Sequence, residues 1–173
     1  MDVKKPELLL PVGTREMLEA AIQNGADAVY FGVPHWNARG RTEDFSFDDV
    51  REMIQYARVR GVRTFLAMNV LVFERELQGL PEFLERLIAL EPDAFIIQDI
   101  GLARLIRAIA PNQEIHASTQ MTLASAEAVN LVSQLGFNRA VLARELSLKQ
   151  IATIRETTPL ELEVFIHGAL CVS

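Results

Sequence analysis

Short apolar segments alternate with amphipathic helix patterns along the whole chain. Seven apolar runs have strand length and little polar interruption, which is typical of parallel strands buried on both faces. They are Leu8–Leu10, Ala28–Phe31, Thr64–Met68, Ala94–Ile97, Glu114–Ala117, Ala140–Ala143 and Leu162–Ile166. This alternation predicts a parallel sheet covered by helices, an α/β fold.

The segments between the runs carry helix start signals. Thr14 and Ser46 occupy N-cap positions, Pro81 opens the third helix, and Ser147 with Gln150 predicts a capping box for the sixth. The joints from helix to strand repeat one short pattern: Gly25-Ala26-Asp27, Gly61-Val62-Arg63, Glu91-Pro92-Asp93 and Gly136-Phe137-Asn138. Such short joints are typical of repeated βα units.

Strict β-α alternation fits either a TIM-type barrel or an open doubly wound sheet. The open dinucleotide-binding sheet has a G-x-G-x-x-G turn after its first strand, where this chain has only Pro11-Val12-Gly13. We therefore predict a TIM-type (β/α) barrel and a single domain over residues 1–173.

Six βα units and a seventh strand fill the 173 residues. A complete eight-unit barrel needs about 200–250 residues. We therefore expect an incomplete barrel, the truncated amino-terminal portion of a longer protein. Its first and seventh strands would be open edges, so oligomerisation through the open barrel edge is expected.

Composition narrows the classes of function. The net charge is −6, from 17 Lys and Arg against 23 Asp and Glu, which argues against an extended basic surface for nucleic acid. The single cysteine, Cys171, excludes an internal disulfide and a metal cluster held by this chain's thiolates alone. The opening residues carry only the apolar run Leu8–Leu10, so we expect a cytoplasmic protein without a membrane segment.

Polar residues follow the carboxyl ends of successive strands, where TIM-type barrels carry their chemistry. We expect one concave rim formed by Trp36, Arg39, Asn69, Gln98, Ser118, Gln120, Arg144 and His167. The alternative is that such residues cap helices, as Asp99, Ser118 and Thr119 are placed to do.

Three further residues have competing interpretations. His116, within a strand, is interpreted as a hydrogen-bonded core residue rather than a catalyst. Glu163 faces the barrel interior if side chains alternate, with Arg144 as its partner, or else is a solvated edge carboxylate. Cys171 is a buried thiol, a metal ligand or a nucleophile, and neither a G-x-S-x-G nor an H-E-x-x-H motif accompanies it.

The run Glu163-Val164-Phe165-Ile166-His167-Gly168-Ala169-Leu170-Cys171 resembles the first half of the signature of the collagenase-like peptidase family U32. Five further blocks agree: Glu7–Gly13, Gly25–Tyr30, Gln98-Asp99, His116–Gln120 and Leu142–Ser147. The resemblance spans the whole chain and is nearest to the RNA-hydroxylating branch of the family.

This resemblance implies a TIM-type barrel and an iron–sulfur cluster held by four cysteines, of which Cys171 matches the first. The other three would lie beyond Ser173, so the cluster is not expected in this chain alone. Members of the family are called peptidases, or hydroxylate bases of transfer or ribosomal RNA with prephenate as co-substrate.

The resemblance therefore implies that the intact enzyme binds RNA and a small carboxylate co-substrate. Arg39 and Arg144 suit the carboxylates, because a guanidinium binds them through two N–H groups, and Trp36 suits stacking on a base. The catalytic set implied is Arg39, Asn69, Gln98, Ser118, Gln120, Arg144 and His167. The alternatives are a collagenase-like peptidase and a non-catalytic fragment, inactive by itself.

Overall fold

Strands and helices alternate in the computed structural model, which describes residues 5–33, 36 and 45–168. The strands are β1 (Leu9–Pro11), β2 (Ala28–Gly32), β3 (Arg63–Met68), β4 (Ala94–Ile97), β5 (Glu114–Ala117), β6 (Arg139–Val141) and β7 (Glu161–Glu163). The helices are α1 (Arg15–Gln23), α2 (Phe47–Arg58), α3 (Leu80–Ile88), α4 (Ile100–Ile109), α5 (Ala126–Gln134) and α6 (Leu148–Thr157). Among the residues described, no helix has the length and apolar character needed to cross a bilayer.

The strands form one sheet in the order β1 to β7, the order in which they occur along the chain. The pairs β1–β2, β2–β3, β5–β6 and β6–β7 are parallel. Six βα units are thus followed by a seventh strand, and the predicted TIM-type α/β fold is confirmed.

Side-chain caps fix the helix starts that the sequence predicts. Thr14 Oγ1 accepts a hydrogen bond from the third residue of α1 at 3.2 Å. Ser46 forms a capping box with Asp49 at α2, and Ser147 forms one with Gln150 at α6. Each cap satisfies backbone N–H groups that the helix leaves unpaired and contributes about 1 kcal/mol.

The repeated joint before the strands has a physical function. In three joints the side chain of the last residue accepts a hydrogen bond from a backbone N–H of the preceding strand or its flank. The pairs are Asp27 with Leu8 at 2.8 Å, Asp93 with Thr64 at 2.7 Å and Asn138 with Ile115 at 3.0 Å. These bonds fasten neighbouring strands at their amino-terminal ends, and the bond from Leu8 holds the pKa of Asp27 below its usual value.

The chain divides into two compact units, Met1–Phe95 and Ile96–Ser173. In the first unit, β2 and β3 bury Phe31 and Phe65, and α2 buries Ile54. Full burial of such a side chain contributes about 1.5–3 kcal/mol, so these positions anchor the unit.

The second unit is built from the apolar stripes of three helices and the strands beside them. Ile106 of α4, Val129 and Val132 of α5, and Ile154 of α6 are all buried. Arg107 also links the end of α4 to neighbouring backbone carbonyls and donates to Gly136 O at 2.7 Å. The unit therefore has its own core.

The end of the described sheet differs from the expectation. The sequence predicts a strand over Leu162–Ile166 with its aliphatic face covered by helices, but β7 ends at Glu163. Val164 is 42% exposed and Ile166 is 85% exposed. Both residues follow the last strand pair, and the aliphatic face that they were expected to bury is exposed.

Candidate functional site at the carboxyl ends of the strands

The candidate residues that the structure describes all follow the carboxyl end of a strand. Trp36 and Asn69 belong to the first unit, and the second unit holds Gln98, Ser118, Gln120, Arg144 and His167. Arg39 and Cys171 lie outside the described residues. Because parallel strands end at the same edge of a sheet, the structure supports a shared edge within each unit, and one continuous rim stays a prediction.

The segment after β5 folds into a tight turn. Ser118 is 1% exposed, its backbone N–H donates to Ile97 O at 2.9 Å, and its Oγ accepts from Gln120 N at 3.3 Å. A short 3-10 helix, Thr119–Met121, follows. Ser118 thus caps this turn, as the alternative interpretation expected.

Gln120 differs from the other carboxamides of this unit. Its Oε1 is buried and accepts no hydrogen bond from the residues described, although buried polar atoms in proteins are nearly always paired. Gln150 Oε1, in contrast, accepts from Ser147 N at 2.9 Å, and Asn138 Oδ1 accepts from Ile115 N at 3.0 Å. The side-chain oxygen of Gln120 is thus a buried acceptor that the described residues leave without a hydrogen bond.

The turn ends in an unusual backbone conformation. Thr122 has φ 53° and ψ 48°, the left-handed region, which a β-branched residue occupies at a cost of about 1–2 kcal/mol. Strain of this kind concentrates at functional segments. It marks the loop after β5 as a segment held in place by its surroundings.

Gln98 is half-buried and directly follows β4. Its neighbour Asp99 caps α4, with Oδ1 accepting from Leu102 N at 2.8 Å. Asp99 therefore has a structural function, whereas Gln98 stays a candidate for ligand contact.

Arg144 lies on an aromatic support in the second unit. Its guanidinium carbon is 3.9 Å from the centre of the Phe165 ring. Gly168 has φ +135°, which L side chains rarely adopt, and a Cβ built there would be 3.9 Å from Arg144 Nη1. The guanidinium therefore lies over the ring in a cation–π contact, which limits the positions that the side chain can take. His167 precedes Gly168 and is exposed.

A cluster of polar and charged side chains on β5, β6 and β7, with His116 and Arg139 buried at its centre, is the main feature that the sequence did not predict. His116, Arg139 and Glu161 are paired in the strand register. His116 is 0% exposed, and its Nε2 is 2.8 Å from Glu114 Oε1, which confirms its interpretation as a hydrogen-bonded core residue.

Arg139 is the centre of this cluster. Its Nη2 lies 2.7 Å from Glu161 Oε2, and its Nη1 lies 3.4 Å from Glu163 Oε2. Glu163 thus has an arginine partner, as the sequence predicts for an inward carboxylate, but the arginine observed is Arg139. The expected pair with Arg144 stays a prediction.

Trp36, in the first unit, is half-buried and packs on Phe83, with ring centres 6.2 Å apart and planes inclined at 46°. Phe83 also packs edge-on against Phe47, whose ring lies 3.9 Å from the Arg86 guanidinium carbon. Trp36 therefore belongs to an aromatic cluster. This placement gives it a packing function and leaves base stacking as a prediction.

The described residues contain no candidate metal centre. In residues 5–33, 36 and 45–168, no group of three or more His, Cys, Asp or Glu is arranged to hold a metal ion. The fit of an iron–sulfur cluster therefore cannot be judged from the described residues. The expectation of a cluster rests on Cys171, which lies outside them, and on the resemblance to the family signature.

The family model for peptidase family U32 matches residues 13–173. The chain belongs to peptidase family U32. The U32 resemblance expected from the signature is therefore confirmed over nearly the whole chain.

Relatives within U32 fall into two functional groups. The chain is 35% identical over 170 residues to tRNA hydroxylation protein P1 of Bacillus subtilis, covering 98% of this chain and 40% of the relative. It is 38% identical over 167 residues to a 23S rRNA 5-hydroxycytidine synthase of Escherichia coli, covering 96% and 25%. It is also 33% identical over 185 residues to a collagenase of Porphyromonas gingivalis, covering 100% and 44%. The chain thus spans less than half the length of these relatives.

A solved U32 peptidase structure has the same fold. It superposes with a TM-score of 0.76 at 17% identity, covering 95% of this chain and 71% of the other. This similarity supports the fold alone.

Proposed function

We propose that the protein containing this chain hydroxylates a base of transfer or ribosomal RNA. The observation that carries the proposal is the similarity, over nearly the whole chain, to proteins named for RNA hydroxylation.

The arrangement in the second unit supports this chemistry. Hydroxylation replaces a base C–H by C–OH and removes two electrons from the base, so it needs an oxygen source and an electron acceptor. Prephenate, the co-substrate implied by the family resemblance, carries two carboxylates, and Arg144, in contact with the Phe165 ring, suits one of them. Gln98, Ser118, Gln120 and His167, in the same unit, are proposed to line the space for the base. In the first unit, Asn69 is proposed to contact a substrate, and Arg39, outside the described residues, is proposed to bind a carboxylate.

Cys171 is proposed as one ligand of an iron–sulfur cluster whose other ligands lie outside this chain. Such a cluster, when bound, supplies electron transfer or Lewis acidity. The chain's own residues bind and orient the substrates. Iron and sulfide analysis of the anaerobically purified product of the complete open reading frame, with Cys171→Ala as the comparison, tests this ligand directly.

The test of the function is deletion of that open reading frame, followed by mass spectrometry of nucleosides from digested RNA. One hydroxylated nucleoside should disappear and return when the gene is restored. An unchanged nucleoside profile, together with gelatin cleavage by the purified protein, would favour a peptidase instead. The collagenase relative is the observation that keeps this second candidate.

A further inference from the structure

Phe165 follows the last described strand and contacts Arg144, a candidate residue at the end of the neighbouring strand. Its ring centre is 3.9 Å from the Arg144 guanidinium carbon. Both residues are half-buried, so water screens the attraction between the cation and the ring less than at an exposed site. The contact therefore restrains Arg144 at the carboxyl edge of the strands of the second unit.

The side chains on either side of Phe165 in the sequence lie in a different environment. Val164 is 42% exposed and Ile166 is 85% exposed, although both are large and aliphatic. Phe165 is less exposed than either of them. The Phe165 ring thus lies against Arg144, while the side chains of its two neighbours extend towards solvent.

Contacts before and after Phe165 hold the segment that carries the ring. Glu163, two residues earlier, is 16% exposed and lies 3.4 Å from Arg139 Nη1 at the start of β6. Gly168, three residues later, lies beside the candidate arginine, because a Cβ built there would be 3.9 Å from Arg144 Nη1. The segment is therefore fastened to β6 before the ring and lies against Arg144 after it, which gives the ring a defined place.

We propose that Phe165 is a positioning residue, which holds the Arg144 guanidinium in place for a carboxylate of the co-substrate. The proposal rests on the proposed function, in which Arg144 binds that carboxylate. A long arginine side chain has many rotamers, and a ligand that orders them loses part of its binding free energy. The Phe165 ring restricts these rotamers before the ligand binds. A cation–π contact attracts the positive charge to the ring face, so it is compatible with hydrogen bonds from the guanidinium to a carboxylate.

The substitution Phe165→Leu removes the aromatic face and keeps an apolar side chain. In the protein from the complete open reading frame, we expect the Kd for prephenate, measured by calorimetry, to rise about three- to tenfold, as for a lost cation–π contact. The KM for prephenate should rise by the same factor, with kcat within about twofold of the wild type, because ligand binding is what is weakened. Phe165→Tyr keeps the aromatic face and should restore both values.

A double-mutant cycle distinguishes positioning from a general structural effect. In the Arg144→Gln background the cation is already absent, so the addition of Phe165→Leu should change the Kd for prephenate by less than about twofold. The same fold-change in both backgrounds would overturn the proposal, as would failure of Phe165→Tyr to restore binding. Phe165→Met, which keeps more of the side-chain volume, passes through the same cycle and decides the outcome where Phe165→Leu lowers the unfolding temperature.

Phe73→Leu is the matched control. Phe73 is exposed and its ring centre is 5.6 Å from the Arg75 guanidinium carbon, in the first unit, so the same ring is removed beside a different arginine. This variant should bind prephenate as the wild type does. An equal loss of binding in Phe73→Leu and Phe165→Leu would contradict a specific function of Phe165.

These outcomes separate the two proposals. Hydroxylation by the wild-type protein together with an unchanged Kd in Phe165→Leu refutes the positioning function alone. Absence of any hydroxylated nucleoside, with prephenate binding that depends on Phe165 through Arg144, refutes the proposed function and supports the positioning. A wild-type protein that neither hydroxylates RNA nor binds prephenate refutes both.

Discussion

Replacement of Arg139 by leucine should be among the most destabilising single changes in the second unit. The Arg139 side chain is 7% exposed, and it lies 3.4 Å from Glu163, which is 16% exposed. At an effective dielectric constant of about 20, this contact corresponds to a gross attraction of about 5 kcal/mol. Removal of the arginine takes a cationic partner away from a largely buried carboxylate, so we expect a loss of about 3–5 kcal/mol in the free energy of unfolding.

Glu163→Gln should cost more stability than Glu161→Gln, although Glu161 lies closer to Arg139. Glu161 is closer to Arg139, at 2.7 Å, but its side chain is 62% exposed, so Glu161→Gln should cost at most about 1 kcal/mol. Glu163→Gln should cost about 1–3 kcal/mol, because its partner is desolvated. Burial, and not distance, decides the order.

Urea unfolding of the chain, followed by far-ultraviolet circular dichroism, measures these losses. Arg104→Leu, the same substitution at an exposed position of α4, is the control and should change the stability by no more than about 0.5 kcal/mol. The double variant Arg139→Leu with Glu163→Leu should recover part of the loss, because the buried negative charge is removed together with its cationic partner. A cost below about 1 kcal/mol for Arg139→Leu, or a greater cost for Glu161→Gln than for Glu163→Gln, would refute this reasoning.

Three further changes have defined outcomes. Arg144→Lys keeps the charge but loses the planar group that contacts Phe165. The KM for the carboxylate co-substrate should therefore rise about tenfold or more, while the unfolding midpoint changes little. An unchanged KM would show that Arg144 does not bind the co-substrate. Asp27→Asn should reduce the loss of unfolding free energy at acid pH. The pKa of Asp27 is lowered in the folded chain by the hydrogen bond from Leu8. The stabilisation from Asp27 is therefore present above its unfolded pKa and is lost as the pH falls through the lower, folded pKa. An identical slope in acid titrations of both proteins would contradict this. Thr122→Asn should raise the free energy of unfolding by about 0.5–1 kcal/mol, because Asn tolerates the left-handed conformation; a loss in urea titration would show that the threonine side chain is needed there.

Local signals in the sequence were sufficient for most elements of the fold. The caps at Ser147 and Asp99 are determined within three residues, and the structure shows both. The extent of β7 was not predictable in this way, because alternation assigns Val164 and Ile166 to a common face without showing what covers that face. Their exposure depends on tertiary neighbours.

The candidate site was less predictable than the fold for the same reason. Gln120 and Arg144 were candidates because each follows a predicted strand. The order of strands and helices alone indicates which residues lie at the carboxyl edge of a parallel sheet. Arg139 was missed because its partners Glu161 and Glu163 lie 22 and 24 residues later, and only the register of β6 and β7 brings them together. The unpaired acceptor of Gln120 is likewise a property of packing, for which the sequence contains no local signal.

The most direct test of the central claim is reconstitution of hydroxylation without cellular background. The protein from the complete open reading frame is purified anaerobically and incubated with prephenate and RNA from the deletion strain. The RNA is then digested, and the masses of its nucleosides are measured by mass spectrometry. We predict a nucleoside heavier by one oxygen atom, formed only when both protein and prephenate are present. RNA that is unchanged by a protein retaining its iron and sulfide would contradict the assignment of this U32 protein to RNA hydroxylation.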